Sequence, residues 1–72
     1  MKYAIVNKKK AESSGISIHL HRLNPSRTKM IVNENELRHL GDPDVWAVNL
    51  GGKLVSRAEL NNLINSEVWQ NK

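Results

Sequence analysis

Two histidines separated by one residue, His19 and His21, have the spacing in this sequence that most resembles a metal-ligand pair. Alternate residues of an extended segment point to the same side of a strand and lie about 6.6 Å apart along it. Both imidazoles would therefore face one way, as the ligands of a Zn²⁺ or Cu²⁺ site do. The aliphatic residues that alternate with them are expected on the core face. We therefore expect the histidines to face water on a solvated strand surface.

The remaining sequence completes neither a metal site nor a catalytic site. A closed Zn²⁺ site takes four ligands, and beyond His19 and His21 only His39 and scattered carboxylates are present. None of the six serines lies in the G-x-S-x-G pattern that exposes a nucleophile. The segment Asp42-Pro43-Asp44 is typical of a turn or a helix end rather than of an acid–base pair. We therefore predict no metal, no cofactor and no enzymatic activity.

The positive charge of the chain is concentrated in its first part. Residues 1–29 hold seven Lys or Arg and one Glu, whereas residues 30–72 hold four Lys or Arg and six Asp or Glu. Cations bind nucleic acid by displacing counterions from its phosphates. Tyr3 is the one aromatic residue in this part, so a stacking platform for bases is not predicted. Nucleic-acid binding is the alternative function, and its candidate residues are Lys8, Lys9, Lys10, Arg22, Arg27 and Lys29.

Both tryptophans, Trp46 and Trp69, lie in the acidic remainder of the chain. Trp46 belongs to an apolar segment with apolar residues on both alternating faces, which indicates either a central strand or a face used in association. Trp69 lies off the apolar stripe of the preceding helix, and exposed tryptophans are enriched at interfaces. The sequence therefore favours a non-enzymatic protein–protein interaction module or self-associating adaptor. Its partner would be another protein or a second copy in a homodimer.

The composition describes one small domain, residues 1–72, without cysteine. The lack of cysteine excludes disulfide frameworks, thiol chemistry, zinc fingers and cysteine-ligated iron–sulfur clusters. The longest apolar run is four residues, Val45 to Val48, against the roughly 20 of a membrane helix. The lysines follow the first apolar stretch, whereas the charge of a signal peptide precedes it. We expect a bacterial-type cytoplasmic protein with no membrane partner.

Hydrophobic periodicity predicts short strands in the first part of the chain. The polar segment 8–14 has room for one or two helical turns, and Gly15 suits the left-handed position that closes a helix. The segment Asn24-Pro25-Ser26-Arg27 is a turn signal between two strands that form a hairpin. The strands predicted here are residues 2–7, 16–23 and 28–32.

Two helices are predicted from capping residues and apolar stripes. Asn33, with Glu36 three residues later, indicates a helix over residues 34–40. Ser56, with Glu59 three residues later, indicates a second helix over residues 57–68.

Two further strands are predicted between these helices. Residues 44–50 and 53–55 would pair across Gly51-Gly52, which tolerates the positive φ of a tight hairpin. The same glycines with Lys53 lack the G-x-x-x-x-G-K-[ST] spacing of a phosphate loop. The expected fold is a small α+β domain with short, mostly antiparallel strands covered by the two helices.

Overall fold

The computed structural model describes residues 1–17, 21–64 and 69–71, and it has the small α+β architecture that the sequence predicts. Strands and helices follow one another along the whole described chain. Their bounds are β1 (Tyr3–Asn7), α1 (Lys8–Ser13), β2 (Arg22–Leu23), β3 (Lys29–Asn33), α2 (Glu34–Arg38), α3 (Pro43–Asn49), β4 (Leu54–Val55), α4 (Arg57–Ile64) and β5 (Gln70–Asn71).

All strands belong to one antiparallel sheet with the order β4-β1-β3-β2-β5. The longest pairing joins β1 and β3, from Tyr3 opposite Asn33 to Asn7 opposite Lys29. On its other side β1 pairs with β4, where Tyr3 lies opposite Val55. β1 is therefore an interior strand with a neighbour on each side.

The sheet has a core face and a second face because side chains alternate along each strand. The even-numbered residues of β1 and β3 are buried and form the core face. Residues of α1, α2 and α3 cover this face, since Ala11, Leu37 and Ala47 belong to the same buried cluster. The sheet residues of this core are Ala4, Val6, Met30 and Val32.

The second face is covered less completely, by α4. Tyr3 and Ile5 of β1 and Ile31 of β3 point to this side and are half-buried. Val55 shares the side of its partner Tyr3, and Leu60 of α4 is buried over the same region; neither belongs to the main core cluster. We call this side the α4 face.

The predicted turn of the first hairpin and three predicted helix ends are confirmed. Leu23 pairs with Met30, and the intervening turn is organised by Asn24, whose Oδ1 accepts from the backbone N–H groups of Thr28 and Lys29 at 2.8 and 3.0 Å. α1 ends before Gly15, which has φ of +94°. The predicted N-caps are present too. The backbone N–H of Glu36 donates to Asn33 Oδ1, and that of Glu59 donates to Ser56 Oγ.

The predicted strand over residues 44–50 is wrong, because this segment is the helix α3. Asp42 accepts from the backbone N–H of Asp44 as its N-cap, Pro43 occupies the first turn, and Gly51 follows the helix with φ of +89°. These are start and stop signals of a helix. The strand preference of the valines and the tryptophan depends on context, and here the capping signals decide for a helix.

Two other strand predictions need correction. Of the predicted strand 16–23, only Arg22 and Leu23 form β2; residues 18–20 lie outside the described residues. Ile16 leaves α1 with its backbone N–H bonded to the carbonyl of Ala11 and its side chain buried in the core, so it is not part of a strand. The segment predicted over 53–55 is a strand at residues 54–55, but it pairs with β1 and not with residues 44–50.

The helix predicted over residues 34–40 is shorter than expected, whereas the end of the second predicted helix is not tested. α2 ends at Arg38 rather than at residue 40, and α4 is described from Arg57 to Ile64. The predicted continuation over residues 65–68 lies outside the described residues.

Candidate nucleic-acid interface and neighbouring groove

Five of the six cations proposed for nucleic-acid binding lie at one end of the sheet. The backbone N–H of Lys8 donates to the carbonyl of Thr28 at 3.0 Å, and Asn7 lies opposite Lys29 in the sheet. This contact places the first turn of α1 beside the hairpin turn that carries Arg27, which has φ of +58°. Lys53 lines the same groove as Lys29. We call the five cations and Lys53 the basic end: Lys8, Lys9, Lys10, Arg27, Lys29 and Lys53.

A groove of about 500 Å³ extends from the basic end onto the α4 face, and we call it the lysine groove. Lys29 and Lys53 line it together with Asn24, Leu63 and Trp69. These five residues come from the hairpin, the α3–β4 connection, α4 and the segment before β5. The fold therefore brings an aromatic ring to the cations, contrary to the sequence-based expectation that no stacking residue accompanies them.

Trp69 has an unusual hydrogen-bond state in this groove. The residue is half-buried, and its indole Nε1 is a buried donor with no hydrogen-bond partner among the described residues. An unpaired buried donor costs about 1–3 kcal/mol.

The acidic residues of α2 lie at the opposite end of β1 and β3, together with Lys2 and Arg38. α2 begins directly after Asn33, and its first turn carries Glu34 and Glu36. Glu34 accepts from the backbone N–H of Lys2 at 3.0 Å and pairs with Arg38 at 3.4 Å. The basic end has one ion pair among the described residues, between Lys8 and Glu12 at 3.9 Å. The opposite end therefore carries both signs of charge, whereas the described charges of the basic end are cations apart from Glu12.

Arg22, the sixth cation, lies away from the basic end and lines a second groove of about 360 Å³. Arg57 of α4 lines the same groove, together with Glu36 and the sheet residues Tyr3 and Ile31. We call it the arginine groove. Sequence reasoning found neither Lys53 nor Arg57 as site residues, because each is an isolated cation whose neighbours in space are distant in the chain.

His21 also lines the arginine groove, and the prediction that it faces water is wrong. Its exposed fraction is 6%, and Nδ1 lies 2.6 Å from the carbonyl oxygen of Ser17, while Nε2 is hydrogen-bonded to Glu36 Oε2. His21 precedes the short β2, so the alternation expected of a long strand does not apply to it. His19 lies outside the described residues.

The metal hypothesis gains no support from the described chain. Within residues 1–17, 21–64 and 69–71 there is no group of three His, Asp or Glu side chains that could hold a metal ion. His21 has both ring nitrogens engaged by Ser17 and Glu36, so neither is available as a ligand in this arrangement.

Trp46 is the sequence-based interface candidate on α3, and that role stays a prediction. It is half-buried and packs against the core cluster, and a Cβ at Gly41 would lie 2.7 Å from its indole Nε1. The apolar residues that α3 exposes are Val45 and Val48, with exposed fractions of 54% and 66%.

Comparison with known proteins yields no relative: no protein-family model matches this chain, and neither a curated protein nor a solved structure matches it. None of the helices in the described ranges has both the length and the apolar character needed to cross a bilayer.

Proposed function

We propose that this protein binds single-stranded nucleic acid through its basic end, with bases stacking on Trp69 in the lysine groove. The observation that carries the proposal is the convergence of Trp69 with Lys29 and Lys53 on one groove. Proteins that bind single strands combine a cationic path for the backbone with aromatic faces for the bases. The proposed role is binding, and it includes no catalytic step.

The charge distribution supports the same proposal. The cations of α1 and the hairpin turn continue from the lysine groove along one end of the sheet. Glu12 is the acidic residue of α1, and its carboxylate is paired with Lys8. A strand that leaves the groove along this end would therefore meet several cations, each of which releases counterions from phosphate.

Fluorescence of Trp69 tests the proposal directly. In a Trp46→Phe background the remaining indole fluorescence should be quenched by oligothymidylate at low salt. Trp69→Ala should weaken binding of a labelled oligonucleotide by about tenfold, because one stacked base contributes on the order of 1–3 kcal/mol. Trp46→Phe alone should bind as the native chain does. Unchanged affinity after Trp69→Ala, or no binding at low salt, would contradict the proposal.

A second candidate function, self-association, is favoured by the exposed valines of α3. Val45 and Val48 lie about one helical turn apart, so they share one side of the helix. Sedimentation equilibrium tests this proposal: a dimer at micromolar concentration should dissociate in Val48→Lys. A native chain that is monomeric at these concentrations would contradict it.

A further inference from the structure

We infer that the arginine groove binds a small organic phosphate, with the phosphate between Arg22 and Arg57 and the organic part on the sheet. The inference concerns a different groove from the nucleic-acid proposal, and it does not depend on that proposal. Three features of the groove carry it: two guanidinium groups without an ion-pair partner among the described residues, one acidic group engaged by a histidine, and aromatic and aliphatic side chains on the floor.

The two guanidinium groups are the first feature. Arg22 and Arg57 are both exposed and line the groove, and within the described chain neither has an ion-pair partner. Arg38, by comparison, is paired with Glu34. Guanidinium groups bind phosphate in a bidentate geometry. Two of them outnumber Glu36, the carboxylate of the same groove, and leave a net positive lining for a phosphomonoester, whose charge is about −1.5 to −2 at neutral pH.

The pairing of His21 with Glu36 is the second feature. Glu36 is the acidic residue among those that line the groove, and it is the group that would otherwise neutralise a guanidinium there. Instead, Glu36 Oε2 is hydrogen-bonded to His21 Nε2. Because His21 is buried and its Nδ1 is bonded to the Ser17 carbonyl, the ring orientation is set from both sides. The histidine therefore keeps the carboxylate at the wall of the groove.

The floor and size of the groove are the third feature. Tyr3 and Ile31 of the sheet, with Leu60 and Ile64 of α4, provide an aromatic and aliphatic surface for the organic part of the ligand. Asn61 adds an amide to the lining. The volume of about 360 Å³ lies at the lower end of the roughly 300–1,000 Å³ typical of small-molecule pockets. A nucleoside monophosphate is a suitable probe, since it joins a flat ring to one phosphate.

Titration with adenosine 5′-monophosphate, followed by amide and arginine side-chain NMR shifts, tests the inference. We expect saturable shifts at Arg22, Arg57 and Tyr3. Arg57→Gln should weaken binding by about tenfold, as expected for the loss of one charged bidentate contact. The matched control Arg38→Gln removes the same charge outside the groove and should bind with native affinity.

Titrations with inorganic phosphate and with adenosine show which part of the monophosphate is bound. Inorganic phosphate and adenosine should each bind more weakly than the monophosphate, because each lacks one half of the proposed contacts. No saturable binding, or equal affinity in Arg57→Gln, would overturn the inference. It would also be overturned if Lys29→Gln/Lys53→Gln weakened binding of the monophosphate as Arg57→Gln does. That double variant reports on the nucleic-acid proposal in the oligonucleotide assay, so the two proposals can fail separately.

Discussion

His21 and Glu36 join β2 to α2 through a hydrogen bond between His21 Nε2 and Glu36 Oε2, although they are 15 positions apart in the chain. The second ring nitrogen bonds to the carbonyl of Ser17, which lies just before residues 18–20. This buried side chain therefore ties together three parts of the chain around one wall of the arginine groove. Both ring nitrogens lie against polar oxygen atoms while the residue is only 6% exposed.

Removal of this histidine should destabilise the fold. In His21→Leu, Glu36 and the Ser17 carbonyl lose their common partner, and the free energy of unfolding should fall by about 1–3 kcal/mol. Urea denaturation measures the change. The exposed His39 provides the control, since His39→Leu should stay within about 0.5 kcal/mol of the native chain. Equal loss in both variants would show that the buried contacts of His21 contribute nothing specific.

Gly52 should be the least replaceable glycine of the described chain. A Cβ added there would lie 2.1 Å from the carbonyl oxygen of Ile5, a backbone atom of an interior strand. Gly52→Ala should therefore cost about 3 kcal/mol or more, in the range of severe core defects. Gly15→Ala is the matched control, because its added Cβ meets nothing within 4 Å and the cost is that of φ at +94°, about 1–2 kcal/mol. A similar midpoint of thermal unfolding for both variants would contradict this ranking.

Alanine substitutions can distinguish the observed α3 from the strand predicted over residues 44–50. In a strand Val48 and Leu50 would share a face, and truncation of either would cost similarly. In the helical structure Val48 is exposed and Leu50 is 2% exposed. Leu50→Ala should lose about 2–5 kcal/mol. Val48→Ala should be neutral or stabilising by a few tenths of a kcal/mol, because alanine is the better helix former. Denaturant midpoints decide between them, and a large loss in Val48→Ala would favour the strand.

The salt dependence of oligonucleotide binding should report on the lysine groove. Lys29→Gln/Lys53→Gln removes two phosphate contacts, so the slope of log K against log salt should become shallower by about 1.4 for a single strand. Lys2→Gln/Arg38→Gln removes the same net charge at the opposite end of β1 and β3 and should leave the slope nearly native. If both double variants changed the slope equally, binding would depend on net charge and not on the groove.

Local signals were sufficient for much of the fold. The caps at Asn33 and Ser56 and the turn at Asn24 depend on neighbouring residues, and each was predicted from its own few positions. At α3 the strand preference of two valines predicts a strand. The adjacent Asp42, Pro43 and Gly51 are capping residues, and they specify the observed helix.

The candidate sites could not be predicted in the same way, because they depend on long-range contacts. Lys29, Lys53 and Trp69 share a groove only once the hairpin, the α3–β4 connection and the segment before β5 are assembled. Likewise, the burial of His21 requires Glu36 as its partner, which no spacing in the sequence indicates. The basic charge of the N-terminal part was visible in the sequence, whereas its division between two grooves was not.

β1 lies in the interior of the sheet, so its pairing is complete only when both neighbouring strands are present. Tyr3 is flanked by Asn33 and Val55, both of which are synthesised after it. Until Val55 has left the ribosome, one edge of β1 has no partner, and unpaired strand edges are templates for aggregation. Pairings between residues so distant in sequence also slow folding. Assembly of the sheet is therefore completed only after Val55 has been synthesised, and a chain arrested before Val55 would retain an open edge on β1.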